Sequence, residues 1–353
     1  MFFSVSLPAV TVSRTKTSLR EVARLAGVSV STASRVLSGS THPVGAATKA
    51  RVLAAAEQLS FAPNRLARAL VTARSQTIAA LVHDTSDPYF GEILRGLEDV
   101  IGASGYSLLV ASSDRDPERE LDYVRAFQSY QVDGIVFCAS AIVDAGYVAR
   151  LWEVLSSYQR RGGVVVTLSE HPFPVAGARV DNQKTAQLAT EHLLGMGHRR
   201  IAFISGPQHL AVSQRRLEGY LLALERAGMA TDPALITPGD FSLRGGREAV
   251  GQVLAGEATA LVAANDMLAL GAIRGLLDRG VSVPSQVSVV GIDDLTIAEY
   301  GPVPLTTVRV PTVELGRQGG RLVLGGLSGA SPETMTMNPT LVVRASTAPP
   351  PSR

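Results

Sequence analysis

Hydrophobic and polar positions follow two different patterns along the chain. Up to about residue 60, apolar residues recur every three or four positions, which is typical of short amphipathic helices. From Thr77 onward, uninterrupted apolar runs alternate with longer segments of helical periodicity. The first pattern predicts a small all-α unit. The second predicts an α/β unit whose parallel strands are buried on both faces.

The stretch SLREVARLAGVSVSTASRVL, residues 18–37, is typical of two short helices joined by a tight turn. Ser18 and Glu21 have the spacing of a capping box, Gly27 suits the turn, and Ser29 can cap the second helix. A third helix is predicted over Val44–Leu59. The positions expected to face inward are Val22, Ala23, Leu25 and Ala26 in the first helix and Val30, Ala33, Val36 and Leu37 in the second.

A helix–turn–helix of this size presents the start of its second helix to the major groove of DNA. The outward positions of that helix carry small hydroxyls and one cation, and no acid. They are Ser31, Thr32, Ser34 and Arg35. An ordinary helical hairpin would have a similar pattern, so these residues alone leave that alternative open.

The apolar runs after residue 76 are predicted to be strands. They read TIAALV, SLLVA, DGIVFC, GVVVTL, RIAFIS, ALVAA and VSVVGI. Helices are predicted between them, for example over Pro88–Ser104, Pro117–Tyr130, Gln183–Met196 and Gln214–Ala227. One compact doubly wound sheet does not accommodate so many strands, and two Rossmann-like lobes are therefore expected.

The net charge of +2 conceals an asymmetry between the two regions. Residues 1–74 hold ten Lys/Arg and two Asp/Glu, a net charge of +8, which leaves −6 for the rest of the chain. A basic head on a mildly acidic body is typical of a DNA-binding domain joined to another domain. Anionic lipid would also attract basic residues, but the helix–turn–helix favours DNA. No apolar run approaches the ~18 residues of a membrane span, and no membrane partner is expected.

The helix–turn–helix, the third helix and the segment APNRLARAL, residues 62–70, resemble the lac repressor family of bacterial transcription regulators. The resemblance extends over almost the whole chain. It implies a regulator, expected to be a repressor, that binds double-stranded DNA at a pseudo-palindromic operator. A small-molecule effector, expected to be a sugar or sugar derivative, would control this binding. The chain ends in STAPPPSR without heptads, so a homodimer is expected.

The family's organisation implies boundaries in this chain. Residues 1–17 are expected to be a disordered arm or the product of an upstream start codon chosen in error. Residues 18–62 would form the helix–turn–helix domain, 63–74 the hinge helix and linker, 75–345 the core and 346–353 a tail. Within the core, lobe one would be about 75–177 plus 309–328, and lobe two about 178–308 plus 329–345, as in periplasmic sugar-binding proteins.

The resemblance also implies roles in DNA binding. Val30 and Ser31 would face base edges, and Arg35 would reach a guanine. Five residues are expected to contact phosphates and so to fix the position of the protein along the DNA: Ser29, Thr32, Ser34, Thr48 and Asn64. Ala67 would allow two hinge helices to approach closely, and Leu70 matches the leucine that wedges between central base pairs. A surface linker with an incidental leucine is the alternative.

Ligands in open α/β lobes bind beyond the carboxyl ends of strands. Guanidinium, carboxylate and amide groups there can hold vicinal hydroxyls, while aromatic faces cover the apolar side of a ring. A purine would suit the aromatic residues as well as a pyranose, and helix capping alone would explain each single acid. The expected effector-binding residues, by match to the family, are Asp84, Tyr89, Phe90, Asp181, Arg216, Phe241, Asn265 and Asp293.

Patterns of catalytic sites are missing from the sequence, which has no GxSxG, GxGxxG, Walker or HExxH motif. The one cysteine, Cys138, lies in an apolar run and is expected to be a buried thiol; no metal or other cofactor is expected. A solute-binding protein of a transport system would explain the core alone. The helix–turn–helix and the absence of an export signal favour a cytoplasmic regulator.

Overall fold

The structure is a computed structural model that describes residues 18–38, 42–61, 74–331 and 333–351. The chain forms two compact units, residues 1–75 and 76–353, and each is described by itself. The predicted arm and the predicted hinge residues Asn64, Ala67 and Leu70 lie outside the described residues.

The described part of the first unit contains three helices: α1 (Leu19–Leu25), α2 (Val30–Ser38) and α3 (Ala46–Gln58). The capping box at the start of α1 is confirmed, because the Glu21 carboxylate accepts from the Ser18 backbone N–H at 2.7 Å and the Ser18 hydroxyl accepts from the Glu21 N–H at 3.3 Å. Gly27 makes the turn with φ +63°. The Ser29 hydroxyl accepts from the Thr32 N–H at 3.1 Å, as expected of a cap.

Small apolar side chains form the core of the first unit, and two predicted inward positions are wrong. Leu25 and Val30 are 46% and 44% exposed. Leu25 lies about 100° around α1 from Ala26, which is buried, and Val28 in the turn packs against the cluster instead of Val30. In short helices the sequence pattern admits more than one inner face. The buried cluster consists of Val22, Ala23, Ala26, Ala33, Val52, Ala55 and Ala56.

Lobe one of the second unit is built on a four-stranded parallel sheet in the order β2-β1-β3-β4. Its strands are β1 (Thr77–Val82), β2 (Ser107–Ser112), β3 (Gly134–Phe137) and β4 (Val164–Thr167). The connecting helices are α4 (Pro88–Ile101, followed by a 3-10 turn over Gly102–Ser104), α5 (Pro117–Ser129) and α6 (Ala145–Arg160). The strands are almost wholly apolar, and the two predicted helices, α4 and α5, are capped by Asp87 and Asp116. Asp144 caps α6, which the sequence analysis did not name.

Lobe two is built on a six-stranded sheet, which the chain enters after β5 (Ala178–Val180). Its strands, in chain order, are β6 (Ile201–Ile204), β7 (Ile236–Thr237), β8 (Ala260–Ala263), β9 (Ser288–Asp293), β10 (Thr306–Arg309) and, after β11 (Met335–Met337), β12 (Thr340–Val342). The spatial order is β12-β10-β9-β8-β6-β7, parallel except for the edge strand β12, which pairs antiparallel with β10. The sequence did not predict this antiparallel edge.

The helices associated with lobe two are α7 (Asn182–Gly195), α8 (Ala211–Arg226), α9 (Leu243–Ala255), α10 (Asp266–Leu277) and α11 (Thr296–Tyr300), with a 3-10 turn over Pro233–Leu235. The last helix, α12 (Thr312–Leu327), returns to lobe one, where it packs on α4 and on the β3–β4 side of the sheet. β5 and β11 pair as a separate parallel ribbon between the lobes. The predicted α/β fold with two Rossmann-like lobes, preceded by an all-α headpiece, is confirmed.

The C-terminal segment is part of lobe two, which corrects the predicted boundary at residue 345. The Ser346 hydroxyl accepts from the Thr306 N–H and donates to the Val289 carbonyl, at 2.8 and 2.6 Å. The Ala348 carbonyl accepts from Ser288 Oγ at 3.0 Å and lies 2.9 Å from His198 Nε2. These polar pairs are long-range, so the Pro-rich composition of the segment gave no sign of them.

Gly96 allows α4 and α12 to pack in close contact. A Cβ on Gly96 of α4 would collide with the Val313 carbonyl of α12, whereas a Cβ on Gly91 of the same helix meets nothing within 4 Å. Gly96→Ala is therefore expected to lower the free energy of unfolding by at least about 1 kcal/mol, and Gly91→Ala to raise it by about 0.5–1 kcal/mol. Urea unfolding followed by the fluorescence of Trp152, the only tryptophan, measures both. Equal effects of the two substitutions would contradict the helix packing described here.

Candidate functional site

A cavity lies between the lobes, at the carboxyl ends of strands from both sheets. It contains about 640 Å³ of empty space, part of which is open to solvent. Lobe one contributes residues that follow β1 to β4, and lobe two contributes residues at the ends of β7, β8 and β9. The lining residues are His83, Asp87, Tyr89, Phe90, Arg115, Cys138, Ser140, Leu168, Ser169, Val180, Asn182, Leu210, Val212, Arg216, Phe241, Asn265, Asp293, Val310 and Leu315.

The structure brings most of the predicted effector-binding residues together in this cavity. Those that line it are Tyr89, Phe90, Arg216, Phe241, Asn265 and Asp293. Asp84 and Asp181 are not among the lining residues. The Asp84 carboxylate accepts from the Ser86 N–H and hydroxyl, at 2.8 and 2.7 Å, in a turn at the cleft edge. Asp181 caps α7 through the Lys184 N–H at 2.9 Å, and the next residue, Asn182, lines the cavity instead.

A buried ion pair lies in the wall that lobe two contributes. Arg216 and Asp293 are only 4% and 3% exposed, and Arg216 Nη2 donates to Asp293 Oδ1 at 2.9 Å. Arg216 Nε also donates to Asn182 Oδ1 at 3.1 Å, and its Nη1 donates to the Ala264 carbonyl. Burial raises the pKa of Asp293 to about 7, and the Arg216 charge acts in the opposite direction. The guanidinium is thus held rigidly, with some of its N–H groups still available to a ligand.

Aromatic rings form the apolar walls. Tyr89 and Phe90 pack edge-to-face with ring centroids 5.2 Å apart, at the start of α4, where the Asp87 carboxylate accepts from the Tyr89 N–H at 3.0 Å. Phe241 has φ +66°, and its carbonyl accepts from Asn265 Nδ2 at 3.3 Å. The second side-chain atom of Asn265, Oδ1, caps α10 through the Leu268 N–H at 2.9 Å. Tyr89 and Asn265 are therefore held in place by the hydrogen bonds that cap α4 and α10, and Phe241 is held by its bond to Asn265.

Several polar lining residues were missed by the sequence reasoning. His83, Arg115, Ser140 and Ser169 follow β1, β2, β3 and β4, respectively, so the rule of strand carboxyl ends would have found them if it had been applied to every strand. Burial, together with the nearby Arg115 cation, lowers the pKa of His83 to about 3, so its ring is neutral. Cys138 is buried as predicted, and burial raises the pKa of its thiol.

In the first unit, the start of α2 presents a polar surface. The side chains of Ser29, Val30, Ser31, Ser34 and Arg35 are exposed, and those of Thr32 and Thr48 are partly exposed. α2 has no acid in its first turn, and the Ser29 hydroxyl lies 2.8 Å from that of Ser31. The surface offers hydroxyl groups and one cation, groups that can contact base edges and phosphates in the major groove.

The described residues hold neither a metal-binding cluster nor a membrane-spanning helix. No group of three or more His, Cys, Asp or Glu residues among them could hold a metal ion. In the same part of the chain, no helix has both the length and the apolar character needed to cross a membrane.

Comparisons with known proteins agree with this geometry. Residues 18–64 match the model of bacterial regulatory proteins of the lacI family, and residues 190–347 match that of a periplasmic binding protein-like domain. The chain is 33% identical to the HTH-type transcriptional regulator DegA of Bacillus subtilis, covering 95% of this chain and 99% of DegA. It is also 33% identical to the HTH-type transcriptional regulator GalR of Escherichia coli, covering 94% and 96%.

Two solved structures of transcription regulators also align with most of this chain. The lac repressor dimer bound to operator and the anti-inducer ONPF superposes with a TM-score of 0.84 at 26% identity, covering 94% of this chain and 99% of that one. The complex of the transcriptional regulator CelR with cellobiose has a TM-score of 0.67 at 32% identity, with the same coverage of 94% and 99%.

Proposed function

This chain belongs to the lacI family of bacterial transcription regulators, and we propose that it is a dimeric repressor whose operator affinity is set by a sugar or sugar derivative bound between its lobes. DNA binding and transcription regulation are properties of the family. The ligand class, the dimer and the direction of control in this chain are the proposal.

The observation that carries the proposed ligand class is the combination of polar and aromatic groups in the cavity. Arg216, Asp293 and Asn265 offer donors and acceptors from lobe two, and Tyr89, Phe90 and Phe241 offer ring faces. Such a set suits a ring whose edges carry hydroxyls and whose faces are apolar.

The same arrangement supports control of DNA binding. A ligand that contacts both lobes favours the arrangement of lobes in which those contacts are made. It changes the population of the DNA-binding form only by its difference in affinity for the two arrangements. A ligand held mainly by one lobe would bind without changing operator affinity, so contact with both lobes is a requirement of the proposal.

Two experiments on the full-length protein test it. Selection from random DNA followed by sequencing is expected to yield a pseudo-palindromic site, as a symmetric dimer requires. A thermal-shift screen of D-glucose, D-galactose, D-ribose, cellobiose, adenosine and guanine is expected to raise Tm with at least one of the sugars. A site without two-fold symmetry would refute the dimer on DNA, and a shift with the purine compounds alone would refute the sugar.

The hinge segment gives a prediction that concerns DNA shape. Leu70→Ala is expected to lower affinity for the selected operator, because the side chain that opens the central base-pair step is lost. Affinity for random DNA is expected to change little, since it depends on charge. Gel-shift titrations on both DNAs measure this, and equal losses on the two would rule out the wedge.

A further inference from the structure

Two polar side chains of lobe one that line the cavity each have a nitrogen atom without a hydrogen-bond partner. Among the described residues, His83 Nε2 and Arg115 Nε are buried and make no hydrogen bond. Both residues line the cavity, and His83 is only 3% exposed. A buried donor or acceptor without a partner costs stability, so its presence in a cavity wall requires an explanation.

The backbone that carries Arg115 is strained and firmly held. Asp114 and Arg115 have φ +52° and +63°, a region that disfavours residues other than glycine. The turn is fixed by hydrogen bonds from the Ser113 N–H to the Val82 carbonyl at 3.0 Å and from the Asp114 N–H to the His83 carbonyl at 2.7 Å. Such strain persists where the surrounding structure imposes it, and it is concentrated at functional sites.

The charges of the cavity favour an uncharged ligand. Arg216 is balanced by Asp293 in direct contact. The remaining charged lining residues are Arg115 and Asp87, one of each sign. The adjoining cleft edge adds the carboxylates of Asp84 and Asp240 and the cation of Arg244, a net charge of −1. An anionic ligand would therefore pass more carboxylates than cations at the edge and, while Asp293 is ionised, find no net positive charge inside.

We propose that His83 and Arg115 bind one hydroxyl-bearing edge of an uncharged polyhydroxylated ligand. The Arg115 Nε–H donates to a hydroxyl oxygen, and the neutral His83 ring forms a second hydrogen bond through Nε2. A hydroxyl suits both residues, because it is donor and acceptor at once. The proposal rests on the proposed function, since it assigns further contacts in the same cavity, and it excludes phosphorylated and acidic sugars.

The first test compares ligands in matched pairs by calorimetric titration of the full-length protein. The pairs are D-glucose with glucose 6-phosphate, D-galactose with galacturonate, and D-ribose with ribose 5-phosphate, with cellobiose added. The wild type is expected to bind an uncharged sugar more tightly than its anionic counterpart. Kd for that sugar is expected to rise at least about tenfold in both His83→Leu and Arg115→Met, as loss of a buried hydrogen bond predicts. Arg125→Met, which removes an exposed cation from α5, is the control and should leave Kd unchanged.

The second test needs no ligand. His198 Nδ1 lies 2.9 Å from Thr259 Oγ1 and its Nε2 lies 2.9 Å from the Ala348 carbonyl, so both of its ring nitrogens have partners. His198→Leu is expected to lower Tm clearly. His83→Leu and Arg115→Met are expected to lower Tm much less or to raise it, because each removes a nitrogen that lacks a partner.

The outcomes separate this inference from the proposed function. Unchanged sugar affinity in both variants, or tighter binding of an anionic sugar, would overturn the role of His83 and Arg115. If no sugar of the panel binds the wild type, the Tm comparison decides. Losses as large as that of His198→Leu would show a structural role and overturn the inference. A sugar that binds Arg216→Ala as tightly as wild type would instead refute the cavity as the binding site.

Discussion

Arg216→Ala is expected to lower the free energy of unfolding by about 3–5 kcal/mol and to abolish the ligand response. The substitution leaves the Asp293 carboxylate buried without the guanidinium that contacts it, and removing one member of a buried ion pair costs about this much. It also removes the Arg216 N–H groups that donate to the Ala264 carbonyl and to Asn182 Oδ1. Urea unfolding at pH 8 measures the loss.

The loss is expected to shrink at low pH. Burial already raises the pKa of Asp293 from the ordinary 3.8 to about 7, and removal of the Arg216 charge raises it further. A group with a raised pKa in the folded state lowers stability as pH increases from its unfolded pKa towards its folded pKa. Variant and wild type should therefore differ most above pH 7 and least near pH 5.

The adjacent residue provides a matched control. Arg215 is 45% exposed, and its ion pairs with Glu170 and Glu218 are also exposed. Arg215→Ala is expected to cost about 0–1 kcal/mol, as is usual for surface pairs. Adding Asp293→Asn to Arg216→Ala should recover part of the stability, because the uncompensated charge is removed. A cost for Arg216→Ala no larger than for Arg215→Ala would contradict the assigned ion pair.

Arg35→Ala is expected to weaken binding to the selected operator about 5- to 150-fold, equivalent to about 1–3 kcal/mol, and to relax the preference at one base pair. The reason is that a guanidinium at the outward face of α2 can donate two parallel hydrogen bonds to a guanine. Fluorescence-anisotropy titrations on the operator and on its single-base variants measure both effects.

Thr48→Ala is the comparison for Arg35→Ala. Thr48 is expected to hold a phosphate, so its loss should weaken binding to all sequences by a similar factor. If Arg35→Ala behaves in the same way, with a smaller salt dependence, then Arg35 contacts only the DNA backbone.

Local signals allowed the secondary structure to be predicted from the sequence. The Ser18–Glu21 capping box and the apolar runs of β1 to β4 depend on neighbouring residues, and each was located. The sequence did not predict correctly which residues of the shortest helices face inward, because Leu25 and Val30 are exposed. In helices of two turns, tertiary packing selects the inner face from several acceptable ones.

The candidate cavity was predicted in outline but not residue by residue. Asp181 and Asn182 are neighbours at the end of β5, and the choice between them depends on which side chain α7 uses as its cap. His83 and Arg115 carried no family signal, and their significance comes from nitrogen atoms that lack partners, which only coordinates reveal. The attachment of Ser346 to lobe two is likewise a long-range contact.

Operator affinity measured with and without a bound sugar tests the coupling between cavity and DNA most directly. The full-length protein is titrated with its selected operator, first alone and then with the sugar identified in the thermal-shift screen at saturation. Operator affinity is predicted to change by about 5- to 150-fold, the usual range of coupling between two sites. The same affinity in both titrations, with the sugar bound, would contradict the proposed control of DNA binding by this cavity.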